Sequence, residues 1–282
     1  MIQLGDEESE IFASLSKRVE THIDAADSVF ATHGLTQGKL HLNEVNTRYS
    51  SEEGVQIHFV DATTIPFDFR ATARTMWRHM GSNDLKLQSH RVSVSVPVKH
   101  AICAIWFCVE TKHPTDAVCF QNVRRTQQTL IMEQTEDTLV VKRLLTPNAA
   151  RDEVYPTTIR SVCKRVVQEH RVLMVWESII EHKRSQVDQK LDIQLVHQGW
   201  SQILHIVADD GSVASTIQSY GRMSPTVLEI PQSDSTPPQK KQQQRDIGFL
   251  TETIIASYQQ NMHNVHQAIE NELMEEFLSK AR

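Results

Sequence analysis

Residues 247–277 read IGFLTETIIASYQQNMHNVHQAIENELMEEF. An apolar side chain returns every three or four positions: Ile247, Leu250, Ile254, Tyr258, Met262, Val265, Ile269, Leu273 and Phe277. This spacing gathers the apolar groups into one stripe and predicts an α-helix over 246–279. At about 1.5 Å per residue such a helix is roughly 50 Å long. A stripe of that length needs a broad apolar surface to lie against, and the chain ahead of it offers strands in number.

Residues 231–245, PQSDSTPPQKKQQQR, carry no apolar side chain except proline and predict an exposed, mobile loop before the helix. Upstream, a period of two dominates. Val92, Val94, Val96 and Val98 alternate with Arg91, Ser93, Ser95 and Pro97, a strand with one wet face and an edge or bulge at the proline. Segments 102–109, 117–130, 138–145, 157–168, 171–180, 200–208 and 212–223 continue as strands. Gln168 to Arg171 forms a short junction between two of them, and Asp210-Gly211 suits a tight antiparallel reversal. Strands in sequence joined by short turns make an antiparallel meander, without βαβ alternation or a glycine-rich phosphate loop.

The first part of the chain completes the frame. Ile11, Phe12, Leu15, Val19, Ile23, Ala26, Val29 and Phe30 step by threes and fours, an amphipathic helix over 6–30 that packs onto its own domain. Segments 40–49 and 55–60 predict a hairpin around the turn 50–54. Thr64 and Pro66 signal a short helix over 68–80, where Phe69, Ala73, Met76, Trp77 and Met80 share a face and Gly81 supplies the stop. The predicted class is α+β, a curved antiparallel sheet wrapped around a long C-terminal helix, with an N-terminal helix and a short helix inserted between strands. Residues 1–6 form a tail and 7–282 one domain, because sheet and final helix need each other's burial.

Composition excludes several classes. At 39% hydrophobic and 23% charged residues the chain has material for a sizeable core. A net charge of −6, with basic residues only in short pairs such as Lys142-Arg143, Lys183-Arg184 and Lys240-Lys241, gives no footprint for nucleic acid. Cys103, Cys108, Cys119 and Cys163 lie in strand-like or apolar stretches with no CxxC, as small buried hydrophobes of a reducing compartment do. The acidic start lacks the basic and apolar regions of a secretory signal, so a cytoplasmic location is expected. The most apolar run, 101–109, is too short to cross a bilayer, which excludes a transmembrane segment and leaves peripheral membrane contact open.

No motif states a reaction. His90, His100 and His113 are scattered without HExxH spacing, and His263 with His266, near Glu270 and Glu272, reads as a wet helical face rather than a metal site. There is no G-x-S-x-G elbow, and Glu133, Glu136 and Asp137 read as a solvated turn. Arg124, Arg143 and Arg165 fall within strands; one turned inward would anchor a carboxylate or phosphate headgroup, but most are expected to point outward. No catalytic residue, metal ligand or cofactor is expected.

Met76-Trp77-Arg78-His79, the run from Arg171 through Trp176 to Ser178, and Gly199-Trp200 are similar to strings in START-like proteins abundant in oomycetes, some of them described as mating-specific. The order of elements likewise resembles the START-like helix-grip superfamily of lipid-transfer domains, over nearly the whole chain from residue 7. The resemblance implies a cavity between sheet and last helix suited to sterols, phospholipids or other apolar molecules, and carries no catalytic residue over. Trp106, Phe120, Met174, Trp176, Trp200, Tyr220, Ile254 and Tyr258 are the candidate cavity walls, since large amphipathic side chains line such pockets as readily as they fill cores. The expected function is binding, and transfer, of a hydrophobic small molecule or lipid. The alternative is a protein-interaction or regulatory domain with a filled cavity. An enzyme on the same fold comes third and requires ionisable groups converging inside.

Overall fold

Helix and strand boundaries follow local chemistry. The Asp68 carboxylate accepts the backbone N–H groups of Arg70 (3.0 Å) and Ala71 (3.1 Å), an N-cap that fixes where the inserted helix begins. Gly34, at φ +67°, ends the N-terminal helical segment, and the Leu35 N–H reaches back 2.8 Å to the Phe30 carbonyl. A computed structural model describes residues 6–35, 41–50, 54–81, 125–147, 157–182, 192–207, 211–228 and 237–280. In chain order the described elements are α1 (Asp6–Asp24), α2 (Ala26–Thr32), β1 (Leu42–Ser50), β2 (Gly54–Ile65), α3 (Phe69–Gly81), β3 (Arg125–Gln134), β4 (Thr138–Pro147), β5 (Thr157–Val167), β6 (Arg171–His182), β7 (Asp192–Val207), β8 (Val213–Leu228) and α4 (Pro237–Lys280).

The eight strands form one antiparallel sheet in the order β1-β2-β8-β7-β6-β5-β4-β3. The fold is therefore α+β, with a meander from β3 to β8 and the β1–β2 hairpin added beside β8. Helices cover both faces. On one, Phe12, Leu15 and Val19 of α1 and Ala26 and Phe30 of α2 pack on Val60, Val162, Leu173, Val175, Trp200 and Tyr220. On the other, Phe69, Ala73 and Met76 of α3 join Val265, Ile269 and Leu273 of α4 on Val172, Met174, Ile203 and Ile217. Two polar clasps hold the helices in place. Arg78 and His79 of α3 meet Glu272 and Glu276 of α4 at 2.7–2.9 Å. Across the sheet, Glu177 of β6, 1% exposed, accepts from Arg18 (2.6 Å) and pairs with His22 (2.8 Å) of α1.

Three expectations change. Pro237 to Arg245, taken as loop, are the first turns of α4. Proline suits a first helical turn, and Gln, Lys and Arg are good helix formers, so a polar stretch need not break the helix. The helix expected over 6–30 has a turn at Ala25 that divides α1 from α2. Phe277, placed in the buried stripe, is 62% exposed, as are Met274 at 44% and Leu278 at 51%, and Leu273 is the last α4 side chain in the apolar cluster with α3 and the sheet. The strand expected around Val92 to Val98, residues 102–124 with the cysteines 103, 108 and 119 and Arg124, and the loop residues 231–236 lie outside the described residues. No helix among the described residues is long and apolar enough to cross a membrane.

Candidate functional site

Antiparallel register lines up three rows of side chains on the face that α4 covers. Phe59 of β2 stands opposite Gly221 of β8, Gly221 opposite Gly199 of β7, and Gly199 opposite Trp176 of β6. One row along, Asp61, Ser219, Ser201 and Met174 are successive partners. On the other side the row runs Ile57, Met223, His197, Ser178 and Ser161. Two of these rows put polar groups into an otherwise apolar layer. The hydroxyls bond in pairs, Ser201 to Ser219 at 2.7 Å and Ser161 to Ser178 at 2.8 Å, which satisfies them without water.

The two glycines make room. A Cβ at Gly199 would lie 2.0 Å from Cζ2 of Trp176, so the indole lies directly across the glycine. A Cβ at Gly221 would be 3.4 Å from His197 Nε2 and 3.7 Å from Tyr258 Oη, so imidazole and phenol converge above that position. Tyr258 reaches there from α4 by stacking on Phe59, centroids 3.6 Å apart at 24°. Two turns further along the helix, His266 Nε2 lies 3.4 Å from Asp61 Oδ2. The alignment is too poor for a hydrogen bond, and both atoms are buried without one. Asn43 donates to the other Asp61 oxygen at 3.3 Å.

Burial sets the charge state of this group. It pushes the Asp61 carboxyl up to about 7 and the His197 and His266 imidazoles down to about 3 and about 4, His263 adding to the shift of His266. Burial, then the Asp61 charge, raises the Tyr258 phenol above its usual value. Near neutrality the site thus holds uncharged imidazoles, an uncharged phenol and a carboxyl that exchanges its proton readily. It can hydrogen-bond a hydroxyl, carbonyl or amine. A phosphate or carboxylate would meet Asp61 with no Lys or Arg paired to it among the described residues. Among the described residues no His, Cys, Asp and Glu group is placed to hold a metal ion.

The candidate walls divide between two faces. Met174, Trp176 and Tyr258 belong to the α4 side. Trp200 and Tyr220 lie on the opposite side under α1 and α2, where the Trp200 indole donates to the His22 carbonyl (2.9 Å) and Tyr220 stacks on His33 at 3.8 Å. Successive strand residues point to opposite faces, so Trp200 leaves the side that Gly199 opens, and one cavity cannot include both groups. Trp106, Phe120 and the side chain of Ile254 lie outside the described residues; the neighbouring Ile255 packs beside Ile57 and Phe59. His266, expected on a wet face, is turned to the sheet. Of the strand arginines, Arg143 donates to the Met80 carbonyl at 3.1 Å and Arg165 lies 5.2 Å over the Trp77 ring, beside Glu136 and Asp137. Asp61 and His197 were not singled out. A lone carboxylate inside the strand-like run 55–62 was the available signal. Comparison with known protein families and with characterised proteins returned no match.

Proposed function

We propose that the chain is a helix-grip, START-like module that takes a mostly apolar small molecule or lipid between the sheet and α4 and orients it by one uncharged polar end. The observation that carries this reading is the pair of buried atoms without hydrogen bonds, Asp61 Oδ2 and His266 Nε2, close to Tyr258 and His197 in a layer otherwise lined by Phe59, Met174, Trp176 and Met262. Buried polar atoms left in this state are stabilised by a hydroxyl or amine that bonds both. Loading occurs when α4 moves off β2, and burial of apolar surface drives closure. The module works in the cytoplasm, without catalysis or cofactor, and any membrane contact is peripheral.

The test is native mass spectrometry of protein purified from its own cells, followed by delipidation and uptake of sterols, fatty acids and phospholipids. One-to-one uptake of a hydroxylated apolar ligand is expected, with thermal stabilisation of about 2.7 kcal/mol at a hundredfold excess over Kd. A delipidated sample that binds nothing across the panel sinks the proposal.

A second reading, acid–base catalysis, is favoured by the Asp61 carboxyl lying near neutrality beside a phenol and two imidazoles. It requires that ligand released from wild type be chemically altered and ligand released from Asp61→Asn be intact. Unaltered release from both leaves binding alone.

A further inference from the structure

The other face of the sheet carries a second polar cluster, at β1, β2 and β8. His58 Nδ1 lies 2.7 Å from Tyr220 Oη, and His58 Nε2 lies 3.2 Å from Gln56 Oε1. The amide oxygen only accepts, so Nε2 donates to it and Nδ1 accepts the phenolic proton, a neutral tautomer with both nitrogens engaged. His33 stacks on the same tyrosine. This floor is buried: His58 is 6% and Tyr220 5% exposed.

Two arginines flank it. Register puts Arg222 opposite His58 on one side of β2 and Arg48 opposite Gln56 on the other. Two strand spacings of about 4.8 Å separate their backbone positions by roughly 10 Å laterally, a gap that two extended arginines close on a shared ligand once Arg222 turns from Gln198 of β7. Arg222 donates to the neutral Gln198 Oε1 at 2.9 Å. Among the described residues neither Arg48 nor Arg222 has a carboxylate within ion-pair distance. Glu44, the nearest acid along β1 on this face, stands opposite Val60.

Charge elsewhere on this face is matched. Arg160 meets Glu8 and Glu181, Lys142 meets Glu8, Lys164 meets Glu20 and Arg171 meets Asp27. Among the described residues of this face the mismatch therefore sits beside His58 and Tyr220, in a chain of net charge −6. After burial, the Arg48 guanidinium is what holds His33 and His58 below their usual range, and Arg222 adds to this at His58, so the cations are close enough to be felt.

We propose that Arg48, Arg222 and His33 form a binding site for a phosphomonoester-type dianion, with Tyr220 and His58 as its rigid floor. Two guanidiniums without carboxylates match a dianion better than a monoanion, and planar N–H forks suit phosphate oxygens. The site is independent of the α4-covered face and stands whether or not that face binds a ligand.

The experiment is calorimetric titration of the full chain with inorganic phosphate, with thermal unfolding in parallel, on wild type, Arg48→Gln, Arg222→Gln and the surface control Lys17→Gln. Saturable binding is expected in wild type and the control, and affinity at least about tenfold weaker in each arginine variant. Without phosphate the Arg48→Gln protein should unfold no earlier than wild type, because the exchange relieves like-charge repulsion; a purely structural arginine predicts a loss. Co-sedimentation with phosphatidylcholine vesicles containing phosphatidic acid, competed by phosphate, tells a lipid headgroup from a free phosphate, and either result supports the site. An equal response to acetate, which reports screening, or wild-type affinity in both arginine variants would overturn it.

Discussion

The Trp176 indole lies where a side chain at residue 199 would have to be, with Cζ2 2.0 Å from the Cβ position of Gly199. Trp176 is 5% exposed, held among Leu139, Val141 and Cys163 and edge-on to His197 at 5.8 Å. Gly199→Ala must therefore displace the ring, and overpacking of this kind costs about 1–3 kcal/mol. Urea unfolding of a double-mutant cycle checks the cause. The penalty should fall below about 1 kcal/mol when Trp176→Leu has already removed the ring. An equal penalty in both backgrounds would assign the glycine some other role.

Acid should loosen α1 first. Burial alone would raise the Glu177 carboxyl, but the hydrogen bond from His22 and the Arg18 guanidinium hold it below the ordinary 4.5. Arg160, opposing burial and aided by Lys142, does the same for Glu8. A folded-state pKa below the unfolded one gives stability that is present above pH 4.5 and lost as pH falls through the folded value. Thermal unfolding from pH 7 to 3 should therefore decline more steeply in wild type than in Glu177→Gln. At pH 7 the variant should be weaker by about 1–2 kcal/mol, less than for a fully buried pair because Arg18 is 40% exposed. A variant with an unchanged acid limb would show that Glu177 does not anchor the helix.

Period and turn chemistry made the elements legible, and the sides of the sheet stayed hidden. Gln168 to Arg171 does join antiparallel neighbours, β7 and β8 on either side of the expected Asp210-Gly211 reversal pair antiparallel, and Met262, Val265, Ile269 and Leu273 form the buried stripe, with Tyr258 partly buried in line with it. With helices on both faces, a strand such as β6 runs apolar without alternation from Val172 to Trp176, so period no longer says which side Trp176 or Trp200 takes. Only contacts remote in sequence decide that: the His22 carbonyl of α1 for Trp200, and Gly199 of β7 for Trp176. His266 was misread because three- and four-residue steps allow either flank of the stripe. Asp61 completes the site only by meeting that histidine across some two hundred residues.

Asp61 should make the fold weaker as pH rises. Its folded-state pKa of about 7 exceeds the unfolded 3.8, so its contribution is fully present below 3.8, declines upward and levels off beyond 7. The loss is at most about 4 kcal/mol. His197, His266 and His58, whose folded values are depressed, slope the other way as pH falls below 6.5, so the informative quantity is the difference between Asp61→Asn and wild type. That difference should be within about 1 kcal/mol near pH 4 and favour the variant at pH 8. If the variant is instead the less stable protein at pH 8, the carboxylate is ionised and paired with a charged His266.

Tyr258→Phe separates the wall of the site from its polar end. The ring keeps its stack on Phe59, centroids 3.6 Å apart, while the oxygen above Gly221 disappears. Stability should change by no more than about 1 kcal/mol, since one modest hydrogen-bonding group leaves with its burial penalty. Binding should change selectively. Affinity for a hydroxylated apolar ligand should drop about tenfold, while that for the matching hydrocarbon without the hydroxyl stays the same. Parallel titrations of the two ligands on wild type and variant make the comparison. Equal losses for both would mean that Tyr258 serves only as apolar wall, and the orienting role would pass to Asp61 and His266.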